Sequence, residues 1–106
     1  MMTANEIGSE DLHPIAGIDR MIHEPARLMV MAYLYVVESA DFLFLMRQTG
    51  LTAGNLSSHT SKLEAAGYIE VVKEFVDRKP HTMLRLTGAG RDAFREYREG
   101  MMQVLL

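Results

Sequence analysis

Asn55, Ser57, Ser58, Ser61 and Lys62 fall close together after Thr52 and Gly54, with no acidic residue from Leu51 to Lys62. Such a set makes hydrogen bonds and presents one cation, but it contains no nucleophile–base pair. Asparagine pairs with the edge of a base, adenine above all, and serine hydroxyls reach bases or phosphates. Lys62 and Thr52 suit phosphate, and the start of a helix adds unpaired amide donors. Gly54 allows close approach of the backbone. A merely solvated helix face ordinarily carries Glu–Lys pairs, and this one does not.

A second group follows. Asp77-Arg78-Lys79-Pro80 is a turn sequence with two adjacent bases at its tip, His81 next to them and Arg85 facing out of the strand beyond. Cations at a hairpin tip either keep it solvated or reach a flanking minor groove or the phosphate backbone. Their position after the Asn55–Lys62 segment favours the second use. Arg47 is a lesser candidate.

These residues need elements to position them. Residues 41–67, DFLFLMRQTGLTAGNLSSHTSKLEAAG, read as two short helices joined by a tight turn. The first is predicted to set Phe42, Leu43, Leu45 and Met46 against a core. Gly50 ends it in the left-handed conformation that glycine enters cheaply. Leu51 packs in the turn and Thr52 caps the second helix. That helix, about 53–66, buries Leu56 and Leu63 and stops at Gly67. Small and polar groups outward, braced by another helix across a glycine turn, fit the DNA major groove. Helix 53–66 is the predicted recognition helix.

Before it, Pro25 opens a helix of about 25–38. Leu28, Met29, Ala32, Tyr33, Val36 and Val37 form its expected core-facing stripe. From Tyr68 the period falls to about two. Ile69, Val71 and Phe75 alternate with Glu70 and Glu74, and Thr82, Leu84 and Leu86 with Met83 and Arg85, giving a two-stranded hairpin wing with its tip at about 76–81. Thr87 caps a last helix of about 88–105. There Phe94, Tyr97, Met101 and Val104 recur at 3-4-3 spacing, with Leu105 beside them. That is more apolar surface than a terminal helix of a small monomer covers, so this helix is read as a dimerisation element aided by residues 11–30.

The order three helices, hairpin, helix is that of a winged helix-turn-helix, an α+β and mainly α fold. The stretch from about 20 to 98 also resembles the small winged-helix DNA-binding transcriptional regulators of prokaryotes, related to the MarR and ArsR groups. LTAGNLSSHTSKLEAAGYIE and RKPHTMLRLTGAGRDAF carry the resemblance most specifically. It implies a homodimer that binds operator DNA. Two departures stand out. Thr60 occupies a position where such sequences have a buried leucine, which is expected to loosen packing. Gly88 and Gly90 lie in the first turn of the last helix and are expected to weaken it by about 1 kcal/mol each.

Bulk properties set bounds. The chain has 106 residues, 48% hydrophobic and 24% charged, enough for one domain with a real core. The expected division is a flexible segment 1–12 and a winged-helix domain 13–106. With no cysteine, disulfides, thiolate metal sites and cysteine nucleophiles are excluded. His13, His23, His59 and His81 fall on different elements without ligand spacing, so no metal is expected. His59 reads as a packing or phosphate-contact residue. TGAG at 87–90 lacks the lysine and spacing of a phosphate loop, and the nine methionines read as adaptable packing. No cofactor and no enzymatic activity are expected.

The longest uncharged apolar run, Leu28 to Val37, is ten residues, too short for a bilayer. The N-terminus lacks a signal-peptide pattern, so a cytoplasmic location and no membrane partner are expected. Net charge is −3, unevenly spread: residues 1–46 hold 2 Lys/Arg against 7 Asp/Glu, and residues 47–106 hold 9 against 7. Local potential rather than the total sets attraction to phosphate. Double-stranded DNA carrying a palindromic operator and a second copy are therefore the expected partners. The alternative is a winged-helix module for protein–protein contact without DNA binding. No residue set identifies a small-molecule effector.

Overall fold

The computed structural model of the chain describes residues 14–106, so the segment 1–12 and His13 lie outside it. A 3-10 turn, Pro14–Gly17, leads to helix α1, Pro25–Val37. Glu24 caps α1 by accepting the Arg27 amide at 2.8 Å, and Pro25 opens it. Strand β1, Ser39–Asp41, then precedes α2, Phe42–Thr49, and α3, Ala53–Ala65. Strands β2, Ile69–Val76, and β3, Lys79–Leu86, form the hairpin, and α4 runs from Gly88 to Leu105. Four helices thus sit with a three-stranded antiparallel sheet in the order β1-β3-β2.

The sequence reading lacks the third strand. β1 is only three residues, SAD, and pairs Ala40 with Leu84, too short to show alternation. Its effect is to tie the wing's root to the start of α2. The hairpin turn is also tighter than expected. Asp77 and Arg78 alone connect the strands, with φ of 51° and 67°, and Lys79 and Pro80 already belong to β3. Positive φ at both central residues is the type I′ pattern that matches strand twist.

Ile22, Val30, Met31, Leu34, Leu45, Leu56, Leu63 and Leu84 are fully buried, one core drawn from every layer. On α1 the buried face is Ala26, Val30, Met31 and Leu34, and of the predicted stripe Leu28, Ala32 and Tyr33 pack partly buried against the core. Met29, Val36 and Val37 of that stripe point to solvent. The helix is apolar nearly all round, so period alone does not choose a face. Leu43 of α2 is likewise 51% exposed, while Phe42, Leu45 and Met46 pack on the core.

Thr60 is buried, and its hydroxyl donates to the Ser57 carbonyl at 3.1 Å, so it needs no outside partner. The two α4 glycines differ. A Cβ on Gly88 would meet nothing within 4 Å, whereas one on Gly90 would lie 2.0 Å from the Tyr68 carbonyl oxygen. Gly90 is a packing requirement at the α4–β2 junction, where Thr87 N–H also donates to that same oxygen at 3.0 Å. The expectation that Gly90 simply weakens the helix is therefore corrected.

Candidate nucleic-acid interface

The α2–turn–α3 unit is built from local capping. Asp41 accepts the Leu43 amide at 2.7 Å to start α2, Gly50 ends it at φ 74°, and Thr52 accepts the Asn55 amide at 3.1 Å to start α3. Leu56, Thr60 and Leu63 anchor one face of α3 in the core. The opposite face is open. Thr52, Gly54, Asn55, Ser57, Ser58, Ser61 and Lys62 are all exposed. The first acid on the helix is Glu64, in its last turn, so the exposed N-terminal turns hold only neutral donors and acceptors and the positive end of the helix dipole.

After α3, the chain is pinned to the sheet and to α4. Thr87 Oγ1 donates to the Gly67 carbonyl at 2.6 Å, and its oxygen also accepts the Gly90 amide at 2.9 Å. A single threonine thus caps α4 and fixes the turn that leads from α3 into the wing. Among the described residues, no hydrogen bond or ion pair joins the exposed α3 set to the wing set. The two are held relative to each other by this junction.

The predicted wing residues, three cations and His81, divide in two. Arg78 and Lys79 are exposed at the tip and make no ion pair among the described residues. Arg85 is paired with Glu74 on the same sheet face, and His81 holds Asp41 at 2.5 Å through Nδ1. Arg85 and His81 are thus already partnered within the fold, which leaves Arg78 and Lys79 as the open cations of the tip, with Lys73 of β2 also exposed and unpaired among the described residues. Lys62 on α3 and Arg47 on α2 are open in the same sense.

Sequence reasoning missed Asp41. Its carboxyl is partly buried, which alone would raise its pKa, but the hydrogen bond from His81, the Leu43 and Phe44 amides and the His81 charge together hold it below the ordinary value. An aspartate directly before an apolar helical run was the available signal. His59 does pack as expected of one of its two readings. Its Nδ1 stands 3.3 Å from Arg27 Nη1 and 3.6 Å from Glu24 Oε2, joining α3 to the N-terminus of α1. Arg27 in turn donates to the Met21 carbonyl at 2.6 Å. Among the described residues no three His, Asp or Glu side chains gather as a metal site.

The residues expected at a dimer interface are not equivalent. Phe94 and Tyr97 are each 6% exposed in the chain's own core, where Phe94 stacks on Tyr35 at 4.9 Å and Tyr97 meets His23 Nδ1 at 2.9 Å. They have little surface to offer a partner, which corrects their assignment. Met101 and Val104 are half-buried and Leu105 is exposed. A second apolar surface, an open groove of about 440 Å³ lined by Met29, Ala32, Tyr33, Val36, Val37 and Phe44, lies on the outer side of α1 and α2. No helix of the described residues is long and apolar enough to cross a membrane.

A sequence model of the winged helix DNA-binding domain matches residues 26–105. The chain is 32% identical over 85 residues to an uncharacterised protein of Methanocaldococcus jannaschii, covering 80% of this chain and 92% of that one. Its backbone is similar to that of a transcriptional regulator homologue from Pyrococcus horikoshii, with a TM-score of 0.83, 27% identity, and 89% and 95% of the two chains covered. It also shares its fold with a MarR-family transcriptional regulator from Silicibacter pomeroyi, at a TM-score of 0.65, 18% identity, and 98% and 79% coverage.

Proposed function

This chain belongs to the winged helix DNA-binding domain family, and on that premise we propose that it is a sequence-specific, DNA-binding transcriptional regulator acting as a homodimer in the cytoplasm. Residues 13–106 make up its DNA-binding unit. Helix α3 enters the major groove, with Asn55 on a base edge, Ser57, Ser58 and Ser61 on bases or phosphates, and Thr52 and Lys62 on phosphate. Gly54 brings the start of the helix close to the duplex. Arg78 and Lys79 at the wing tip lie against the flanking minor groove or backbone, with His81 and Arg85 behind them as supports of the wing.

One observation carries this reading: the outer face of α3 is exposed, rich in hydrogen-bonding groups and free of acid from Thr52 to Lys62. A protein of net charge −3 gains attraction to phosphate only through such local arrangement. Self-association is assigned to Met101, Val104 and Leu105 together with the outer face of α1. A two-fold dimer then reads a palindromic operator with half-sites about one helical turn apart.

Binding to duplex DNA measured against salt tests the proposal. Association weakens steeply between about 50 and 200 mM salt if several phosphates are contacted. Charge reversal of Arg78 and Lys79 together weakens binding to all duplexes and flattens that dependence. The apolar groove on α1 and α2 favours a second reading, a protein-docking module, for which the salt slope on DNA is near zero.

A further inference from the structure

Strand β2 outruns the core beneath it. Ile69 is buried and Val71 packs on the core, and the two later residues on that same face are Lys73 and Phe75. Phe75 is 78% exposed, an aromatic ring standing in solvent at the far end of the wing. Its cross-strand partner is Pro80, so two apolar side chains sit directly opposite each other there, with Val76 next to them. The two-residue turn through Asp77 and Arg78 closes the hairpin immediately beyond, which leaves the ring on a short, stiff support.

The charges around this ring are mostly positive. Lys73, Arg78 and Lys79 are exposed near it, Glu74 is occupied by Arg85, and Asp77 is the other acid of the tip. A rigid apolar wedge flanked by open cations is complementary to a groove walled by phosphates and floored by stacked bases.

From this we infer that Phe75 is a specificity-determining residue that inserts from the minor groove against a base step flanking the α3 contact. The inference rests on the DNA-binding reading above. Partial unstacking costs least at flexible pyrimidine–purine steps such as TA, so the wing selects these over stiff A-tracts without a hydrogen bond to any base. The bound duplex is bent at that step.

The experiment uses duplexes recovered by the full chain from a random pool, then remade with the flanking step as TA or as AA, and with 2-aminopurine at that step. Wild-type protein binds the TA duplex at least fivefold more tightly than the AA duplex and raises the 2-aminopurine fluorescence. Phe75→Ala leaves the unfolding midpoint unchanged, abolishes the TA preference and removes the fluorescence rise, and Phe75→Leu retains part of both. If Phe75→Ala keeps affinity, preference and fluorescence while the Arg78→Glu, Lys79→Glu double variant loses binding, the wedge is overturned and the DNA-binding reading stands. If the wild-type chain recovers no duplex at all, both fall.

Discussion

Nδ1 of His81, on β3, stands 2.5 Å from Oδ2 of Asp41, whose other oxygen caps helix α2. One carboxylate therefore joins the wing to α2, the helix that precedes α3. Replacing Asp41 with Ala removes both the cap and the pair, and is expected to cost about 1–2 kcal/mol in denaturant unfolding at neutral pH. Asp41→Asn keeps a capping oxygen but not the charge. Because the folded carboxyl titrates below its ordinary 3.8, its contribution is complete above that value and disappears as pH falls through the lower, folded one. The stability gap between wild type and Asp41→Asn thus closes as pH falls through the carboxylate range; a gap that widens there contradicts the pairing.

The two glycines of the α4 first turn have opposite expected effects. Gly90→Ala drives a Cβ against the Tyr68 carbonyl and should destabilise by about 2 kcal/mol or more, since backbone must move. Gly88→Ala meets open space and should stabilise by up to about 1 kcal/mol through helix propensity. Thermal or urea unfolding of the two variants side by side decides the matter. Equal effects of one sign would remove Gly90 from its junction role.

Tyr68 should ionise only at high pH. Its hydroxyl donates to Asp19, and that bond, then burial and the carboxylate charges of Asp19 and Glu96, push its pKa up to about 12. Folding holds the phenol neutral, so the stabilisation is present below pH 10 and is lost as pH rises from 10 through the folded value. Ultraviolet titration should show a late phenolate that is absent in Tyr68→Phe and moves to lower pH in Asp19→Asn. An unmoved titration would rule out that hydrogen bond.

Gly54 separates stability from binding. No atom lies within 4 Å of a Cβ placed there, so Gly54→Ala should raise stability by about 0.5–1 kcal/mol. On DNA the added methyl stands between helix and duplex, and affinity should fall about tenfold. Unimpaired binding by a more stable Gly54→Ala protein would show that the helix start is not the point of closest approach.

How far these features were readable in advance depends on how local their physics is. Gly50, Thr52, Gly67 and Thr87 are stop and cap signals whose chemistry is contained within a few residues, and the α2–α3 unit and the start of α4 followed from them. The outward face of α3 was readable because Leu56 and Leu63 fix its rotation. α1 was readable only in part, because a helix apolar on every side gives period no purchase: Leu28, Ala32 and Tyr33 pack on the core, while Met29, Val36 and Val37 face outward. β1 is shorter than one full alternation, and the link from Asp41 to His81 spans forty positions, so no local pattern announces either. The tight approach at Gly90 is a tertiary fact, and sequence could only register a poor helix former where the fold demands one. Phe94 and Tyr97 show the same limit from the other side: spacing marked them as apolar, but only packing shows that α1 and the His23 segment already cover them.

The most direct measurement is a titration of isotope-labelled protein with an operator-like duplex, followed through its backbone amide resonances. Shifts should concentrate at residues 52–62 of α3 and at 75–80 of the wing, with α1 residues 29–37 little changed beyond any effect of pairing between copies. If the shifts instead gather on the α1–α2 groove, or the α3 amides stay where they were at saturating duplex, helix α3 does not read DNA.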